Sequence, residues 1–330
     1  MTVKIYKSKN LVANRRGFHA KHIDPELVNA YGMILLDNSL WVTANGTGKL
    51  IQYDMSGDKI LPVVNISAAP TGLTVNDTIG FAIGPDSLPS TLLFSTADGS
   101  IGGYNKKVDP DNGIIKYVSG ETTYYNGITL LYNQLYCVDI TTHKIDVFGP
   151  DFKLIEPDSA SAERFQYPPS QPKDYVVYNC VAINDLLYVT YVKKGEGSSS
   201  HTAGPGLGFI ALYKSDGTFL KTIINIGNHL NVPYSITVAP ENYGEFSSKL
   251  LVGNFGDGRI TAYDAVYSLA TYMNDCNEAK FLGYIKVKKH DTVKKFYINH
   301  LSTIVADRNT VFFNAGPNNG ADGVVGKIEL

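Results

Sequence analysis

Asn126, Asn179 and Asp139 stand where short apolar runs begin or end, and binding a divalent cation is the chemistry they could serve. Hard cations take several oxygen ligands, including carboxylate. The two amides would supply neutral oxygens, Asp139 the charge, and the ion would activate water as a Lewis acid. The opposing reading is that Asn and Asp close turns and tolerate left-handed backbone. Asp109-Pro110-Asp111-Asn112-Gly113 has the residues of a calcium loop but lacks the downstream bidentate Glu, so it reads as a turn between outer strands. His19 and His22 offer two ligands on a loop, and no HExxH or CxxC occurs, which excludes structural zinc. GxSxG is absent too. Gly197-Ser198-Ser199-Ser200-His201 sets Ser beside His in sequence, whereas a triad is a matter of geometry, so this stretch reads as a mobile loop insertion.

The elements that must position these residues come from a repeat. Residues 31–54, 71–105, 126–149, 179–214, 234–264 and 300–329 each contain short β-rich runs split by Asn, Asp or Gly turns. Further apolar runs follow as fourth strands: Ile60–Ile66, Ile114–Val118, Phe152–Ile155, Thr218–Ile224 and Ala279–Val287. The sixth copy ends at Leu330 without one, and Val3–Tyr6 or Leu11–Ala13 precedes the first copy as an orphan. A chain that opens with the strand missing from its end closes a ring. The fold predicted is all-β, a single domain over residues 1–330 forming a six-bladed β-propeller whose last blade the N-terminal strand completes. The blades fall near 27–68, 69–120, 122–156, 174–226, 230–288, and 294–330 plus 3–13. Third strands end in Tyr53, Tyr104, Phe148, Tyr213, Tyr263 and Ile328, which should pack between blades.

In such a ring the starts of the inner strands converge on the mouth of the central channel. The residues placed there are Tyr31, Thr71, Asn126, Asn179, Tyr234 and His300. Loops between second and third strands add Asn45, Asp98, Asp139, Asn254, Asp257 and Asn314 nearby. Loops on a rigid scaffold carry most binding groups, so this face is the expected site. No Glu stands at the six inner positions, which makes the face polar but weakly acidic.

Composition narrows the class. The chain has 330 residues, Lys+Arg 29 against Asp+Glu 31, and 22 tyrosines. A net charge of −2 disfavours a nucleic-acid binder. Two basic stretches, Arg15–His22 and Lys286–Lys295, could touch anions or a glycan at the rim; the plainer reading is a solvated surface. No apolar run is long enough to span a membrane, and no secretory signal is visible at the start. Cys137, Cys180 and Cys276 read as buried thiols of a reduced compartment. The localisation expected is cytoplasmic, or virion-associated for a viral source.

Several segments carry a resemblance: Trp41-Val42 with Asn45-Gly46-Thr47-Gly48, Ala97-Asp98-Gly99-Ser100-Ile101, Leu251–Ile260, and Phe312-Phe313-Asn314-Ala315-Gly316-Pro317-Asn318. Over nearly its whole length the chain resembles a family of mostly bacterial proteins expected to be six-bladed propellers of the broad NHL and gluconolactonase type. Tyrosine at 31 and 234 departs from the tryptophan usual there, and Arg15–His22 is unusually basic. Plentiful Lys, Asn, Ile and Tyr suit an AT-rich source such as a giant virus. The resemblance implies the fold and brings no reaction with it. The leading expectation is a non-enzymatic binding or scaffold propeller, structural or virion-associated, with a protein or glycan partner on its loop faces and no cofactor. The alternative is a metal-dependent hydrolase or lactonase with calcium at Asn126, Asp139 and Asn179. A metal-free protein with the channel plugged by Tyr31, Tyr234 and His300 would remove that alternative.

Overall fold

Six sheets surround one axis in the computed structural model, which describes residues 5–120, 122–156, 164–197, 200–274, 278–289 and 292–330. The inner strands are Ala30–Leu36, Pro70–Val75, Tyr125–Leu131, Tyr175–Ile183, Pro233–Val238 and Leu301–Asp307. Each packs against the next, and the last returns to the first, so the ring is closed. The protein is a six-bladed β-propeller. Among the described residues no helix is long and apolar enough to cross a membrane.

Closure uses the N-terminus. Strand Lys7–Ala13 runs antiparallel to Val324–Glu329 from Lys7 opposite Glu329 to Ala13 opposite Val324. It therefore includes Leu11–Ala13. The other expected closing run, Val3–Tyr6, begins outside the described residues, and Tyr6 makes only an isolated bridge to Val287. Beyond the closing strand, Arg15 holds Asp322 with Nε to Oδ1 at 2.6 Å and Nη2 to Oδ2 at 2.7 Å. Lys21 stands 3.6 Å from Asp58. Two cations of the basic stretch at residues 15–22 thus already face carboxylates. The Arg15 hydrogen bonds pull the Asp322 carboxyl down to about 2. A carboxyl depressed in the folded state stabilises the fold above its unfolded value, ~3.9, and loses that contribution as pH falls towards the folded one. Asp322→Asn should lower the melting temperature at pH 7, and the gap to wild type should close between about pH 4 and pH 2. A gap that persists unchanged at the acid end of a Tm–pH series would contradict this.

Two outer strands differ from expectation. Ala279–Val287 is not continuous: Lys280–Tyr284 completes blade 5, and the chain then leaves as a separate hairpin, Lys286–Lys289 with Thr292–Lys295. Gly283, with φ 150°, sits just before the break. Lys286, Lys288, Lys294 and Lys295 of that basic hairpin are exposed, and Lys295 Nζ lies 3.6 Å from the centre of the Tyr284 ring. His290 and Asp291 lie outside the described residues. In blade 3 Phe152–Ile155 forms no strand and makes only a single bridge, Leu154 to Phe148. Among the described residues that blade has three strands.

The core lies between blades. Tyr53, Phe148, Tyr213, Tyr263 and Ile328 are fully buried at the ends of their third strands, and Tyr104 nearly so. Each such side chain is worth roughly 1.5–3 kcal/mol over leaving it in water. Tyr53 donates its hydroxyl to Asp24 Oδ2 at 2.6 Å and Tyr213 to Gln166 O at 3.0 Å, whereas the buried Tyr263 hydroxyl has no hydrogen-bond partner among the described residues. Cys137 and Cys180 are buried free thiols; Cys276 lies outside the described residues.

Candidate functional site at the channel mouth

Each inner strand starts with a break in register against its neighbour. The shifts fall at Ala30/Met33, Phe94/Thr96, Tyr125/Gly127, Val177/Asn179, Pro233/Ser235 and Leu301/Ile304. A bulge interrupts side-chain alternation and re-aims the residues beside it. Side chains at these bulges bond across to the next blade. Thr43 Oγ1 donates to Thr71 O (2.8 Å) and Thr71 Oγ1 to Tyr125 O. Asn126 Nδ2 donates to Tyr178 O and Asn179 Nδ2 to Tyr234 O, both at 2.8 Å. Ser235 Oγ donates to Ile304 O (3.3 Å), and Thr303 Oγ1 to Tyr31 O (2.8 Å), which returns to the first blade. These bonds form a closed circuit. It demands close inner strands: a Cβ on Gly127 would stand 1.9 Å from Asn179 Oδ1, and one on Gly32 would stand 2.5 Å from Thr71 O.

Inside the circuit tyrosines cross the axis. Tyr31 donates its hydroxyl to Asn126 Oδ1, and Tyr234 donates to Asn126 O at 2.7 Å. The Tyr31 and Tyr234 rings meet edge to face at 5.5 Å, and Tyr178 meets Tyr234 in the same way at 5.8 Å. Thr71, Asn126, Asn179, Tyr31 and Tyr234 are all buried, so these five expected mouth residues form a plug and not an open lining. Burial holds the Tyr31 and Tyr234 hydroxyls well above the ordinary phenol value, and they stay protonated.

The expected ion ligands are engaged. Asn126 uses its oxygen for Tyr31 and its nitrogen for Tyr178, and Asn179 Oδ1 accepts from Cys180 N at 2.8 Å. Asp139 accepts from Tyr124 N (3.1 Å), Thr141 N (2.9 Å) and Thr142 Oγ1 (2.6 Å), as a turn-closing carboxylate does. Among the described residues no group of three or more His, Cys, Asp or Glu side chains could hold a metal. The remaining loop residues also serve the backbone. Asn45 Nδ2 donates to Pro70 O (3.2 Å), Asp98 Oδ1 accepts from Ser100 N (3.3 Å), and Asp257 Oδ1 accepts from Arg259 N (3.2 Å). Asn254 Oδ1 accepts from Asn231 N (2.9 Å), and Asn314 Oδ1 accepts from Thr303 N (2.7 Å). Burial raises the Asp257 carboxyl.

His300 lies apart from the plug. Its ring stacks on Phe255 at 4.7 Å and 20°. Phe255 meets His201 edge to face at 5.6 Å, and His201 meets Tyr178 at 5.1 Å. The rings therefore step outward from buried Tyr178 to half-buried His201, Phe255 and His300. Burial lowers both imidazoles below the usual histidine value, with His300 adding to the effect at His201, so both are neutral at pH 7. The insertion expected to be a mobile loop thus delivers a packed ring at His201, while Ser198 and Ser199 lie outside the described residues. Sequence reasoning missed Tyr178, His201 and Phe255. The available signal was Phe255, which directly follows the mouth residue Asn254.

No family model matches the chain. It is 29% identical over 344 residues to an uncharacterized protein of Acanthamoeba polyphaga mimivirus, covering 99% of this chain and 86% of that one. A second uncharacterized protein of the same virus is 30% identical over 344 residues, covering 99% and 80%. The chain belongs to this family of mimivirus proteins. Solved structures share the family's fold at low identity. Virginiamycin B lyase from Staphylococcus aureus superposes with a TM-score of 0.56 at 14% identity over 98% of this chain and 99% of that one. A catalytically inactive His-to-Ala variant of that lyase with quinupristin gives 0.56 at 15%, with the same coverage. A protein of unknown function from Bacteroides thetaiotaomicron gives 0.59 at 9% over 98% and 76%. The relatives are viral, in keeping with the source expected from residue usage; the narrower NHL and gluconolactonase label stays a resemblance.

Proposed function

We propose that this family member is a binding propeller whose ligand rests on the ring surface of His201, Phe255 and His300. The observation that carries this is the plug: Asn126, Asn179, Tyr31 and Tyr234 use their polar groups on one another, while the rings beyond them stay half exposed. Neutral stacked rings favour a neutral partner with a flat face, an aromatic ring or the apolar side of a sugar. Screening the full chain against a neutral glycan and aromatic-metabolite library by thermal shift should give hits, and Phe255→Ala should weaken them about tenfold, the worth of ~1.4 kcal/mol of lost stacking. Hits indifferent to both Phe255→Ala and His300→Ala would sink the reading.

A metal-dependent hydrolase at Asn126, Asp139 and Asn179 would require those side chains to release the bonds just described. Added calcium would then raise the melting temperature of the wild type but not of Asn179→Ala. The lyase among the fold neighbours is inactive as a His-to-Ala variant; at 15% identity that likeness supports the fold alone.

A further inference from the structure

In a chain of net charge −2, residues 286–295 hold five lysines against one aspartate. They make up the hairpin that leaves blade 5, Lys286–Lys289 with Thr292–Lys295. Its base is rooted in the core between blades 5 and 6, where Ile285, Val287 and Phe296 are buried in one cluster with Tyr6 and Phe313. Lys288 N donates to Tyr6 O (2.8 Å), and Phe296 N donates to Ile285 O (2.8 Å). The hairpin is therefore an anchored projection from the rim.

Directly opposite residues of an antiparallel pair share a face, as do residues two apart on one strand. The register sets Lys286 opposite Lys295 and Lys288 opposite Val293, so these side chains lie on one face. Like charges directly opposite one another destabilise a strand pair. Lys286, Lys288, Lys294 and Lys295 are all exposed, and none makes an ion pair among the described residues. Apolar surface stands among these cations: Val293 is 48% exposed opposite Lys288, and Tyr297, just beyond the strand, is 62% exposed. Lysines alone would serve to keep an edge strand from pairing. That role does not account for apolar side chains left in water beside them.

We propose that this hairpin docks the protein onto a membrane surface rich in anionic lipid, with its lysines among the headgroup phosphates and Val293 and Tyr297 at the boundary of the acyl region. Clustered lysines are drawn to the negative surface potential of such a membrane. Binding to that interface grows with the apolar area buried as well as with charge, and tyrosine is enriched there. A sulfated glycan or a nucleic acid would use the lysines and leave Val293 idle. The site uses none of the residues of the ring surface at the channel mouth, so either reading can fail without the other.

The test is co-sedimentation of the full chain with vesicles of phosphatidylcholine and phosphatidylserine at roughly two to one, against vesicles of phosphatidylcholine alone. The wild type should pellet with the anionic vesicles only, and added salt should release it. Lys288→Gln and Lys294→Gln should each lower the partition coefficient about fivefold, and together by about the product of the two. Both side chains are exposed, so the melting temperature should stay at the wild-type value. Val293→Ser should weaken vesicle binding severalfold and leave retention on a heparin column unchanged. Three results would overturn the proposal. The first is no pelleting, or equal pelleting with both vesicles. The second is pelleting indifferent to the double lysine variant. The third is vesicle binding indifferent to Val293→Ser in a protein that heparin or single-stranded DNA holds more tightly, which would make the partner a soluble polyanion.

Discussion

Deleting residues 1–13 should leave a chain that does not form a cooperative native fold. The deleted strand pairs along Val324–Glu329 and carries Leu11, Val12 and Ala13, all buried at 4% exposure or less. Burying the Leu and Val side chains alone is worth roughly 3–6 kcal/mol at ~1.5–3 each. A whole domain has only ~5–15 kcal/mol to lose. Deletion also exposes Val325 and Phe312, which pack in the same cluster, and leaves Val324–Glu329 as an open edge. Thermal unfolding followed by circular dichroism should show a loss of the sharp transition. Val12→Asp is a milder version that keeps the strand but buries an unpaired charge, and it should still cost several kcal/mol. A truncated protein that melts within a few degrees of the full chain would refute the closing role.

Asn126→Ala should be the most damaging single change at the channel mouth. It strips the acceptor from the buried Tyr31 hydroxyl and the donor from Tyr178 O. An unsatisfied buried polar group costs ~1–3 kcal/mol, so two of them give roughly 2–6 kcal/mol. Tyr31→Phe alone leaves only Asn126 Oδ1 without its partner and should cost less. In the double variant the penalties should not add, because both singles break the same bond. Urea denaturation of the four proteins checks this. Strict additivity would mean that Tyr31 and Asn126 are not coupled and that the plug is held by ring packing.

Much of the fold is legible in the residues because each blade repeats the same local rules. Apolar runs split by turn residues give the strands, and the aromatic at the end of five of the six third strands, with Ile328 in the sixth, marks the interblade core. Tyr53, Phe148, Tyr213 and Tyr263 are fully buried at those positions. The N-terminal strand Lys7–Ala13 pairs with Val324–Glu329 and closes the ring. Where local rules conflict, reading is harder: Phe152–Ile155 is as apolar as a strand, yet its ladder would need a donor at Pro157.

The candidate site shows the division most clearly. The sequence by itself determined that Tyr31, Thr71, Asn126, Asn179 and Tyr234 would gather at one end of the channel, because the starts of inner strands must converge there. Only the tertiary structure decided that they face one another as a sealed plug and that the open surface belongs to His201, Phe255 and His300. The physical reason is the bulge at each inner strand. A period-two strand sends neighbouring side chains to opposite faces. The register shift between Val177 and Asn179 instead lets Tyr178 reach the mouth rings while Asn179 bonds to the next blade. Such a shift is set by pairing with a strand elsewhere in the chain, so no pattern within residues 175–183 could reveal it.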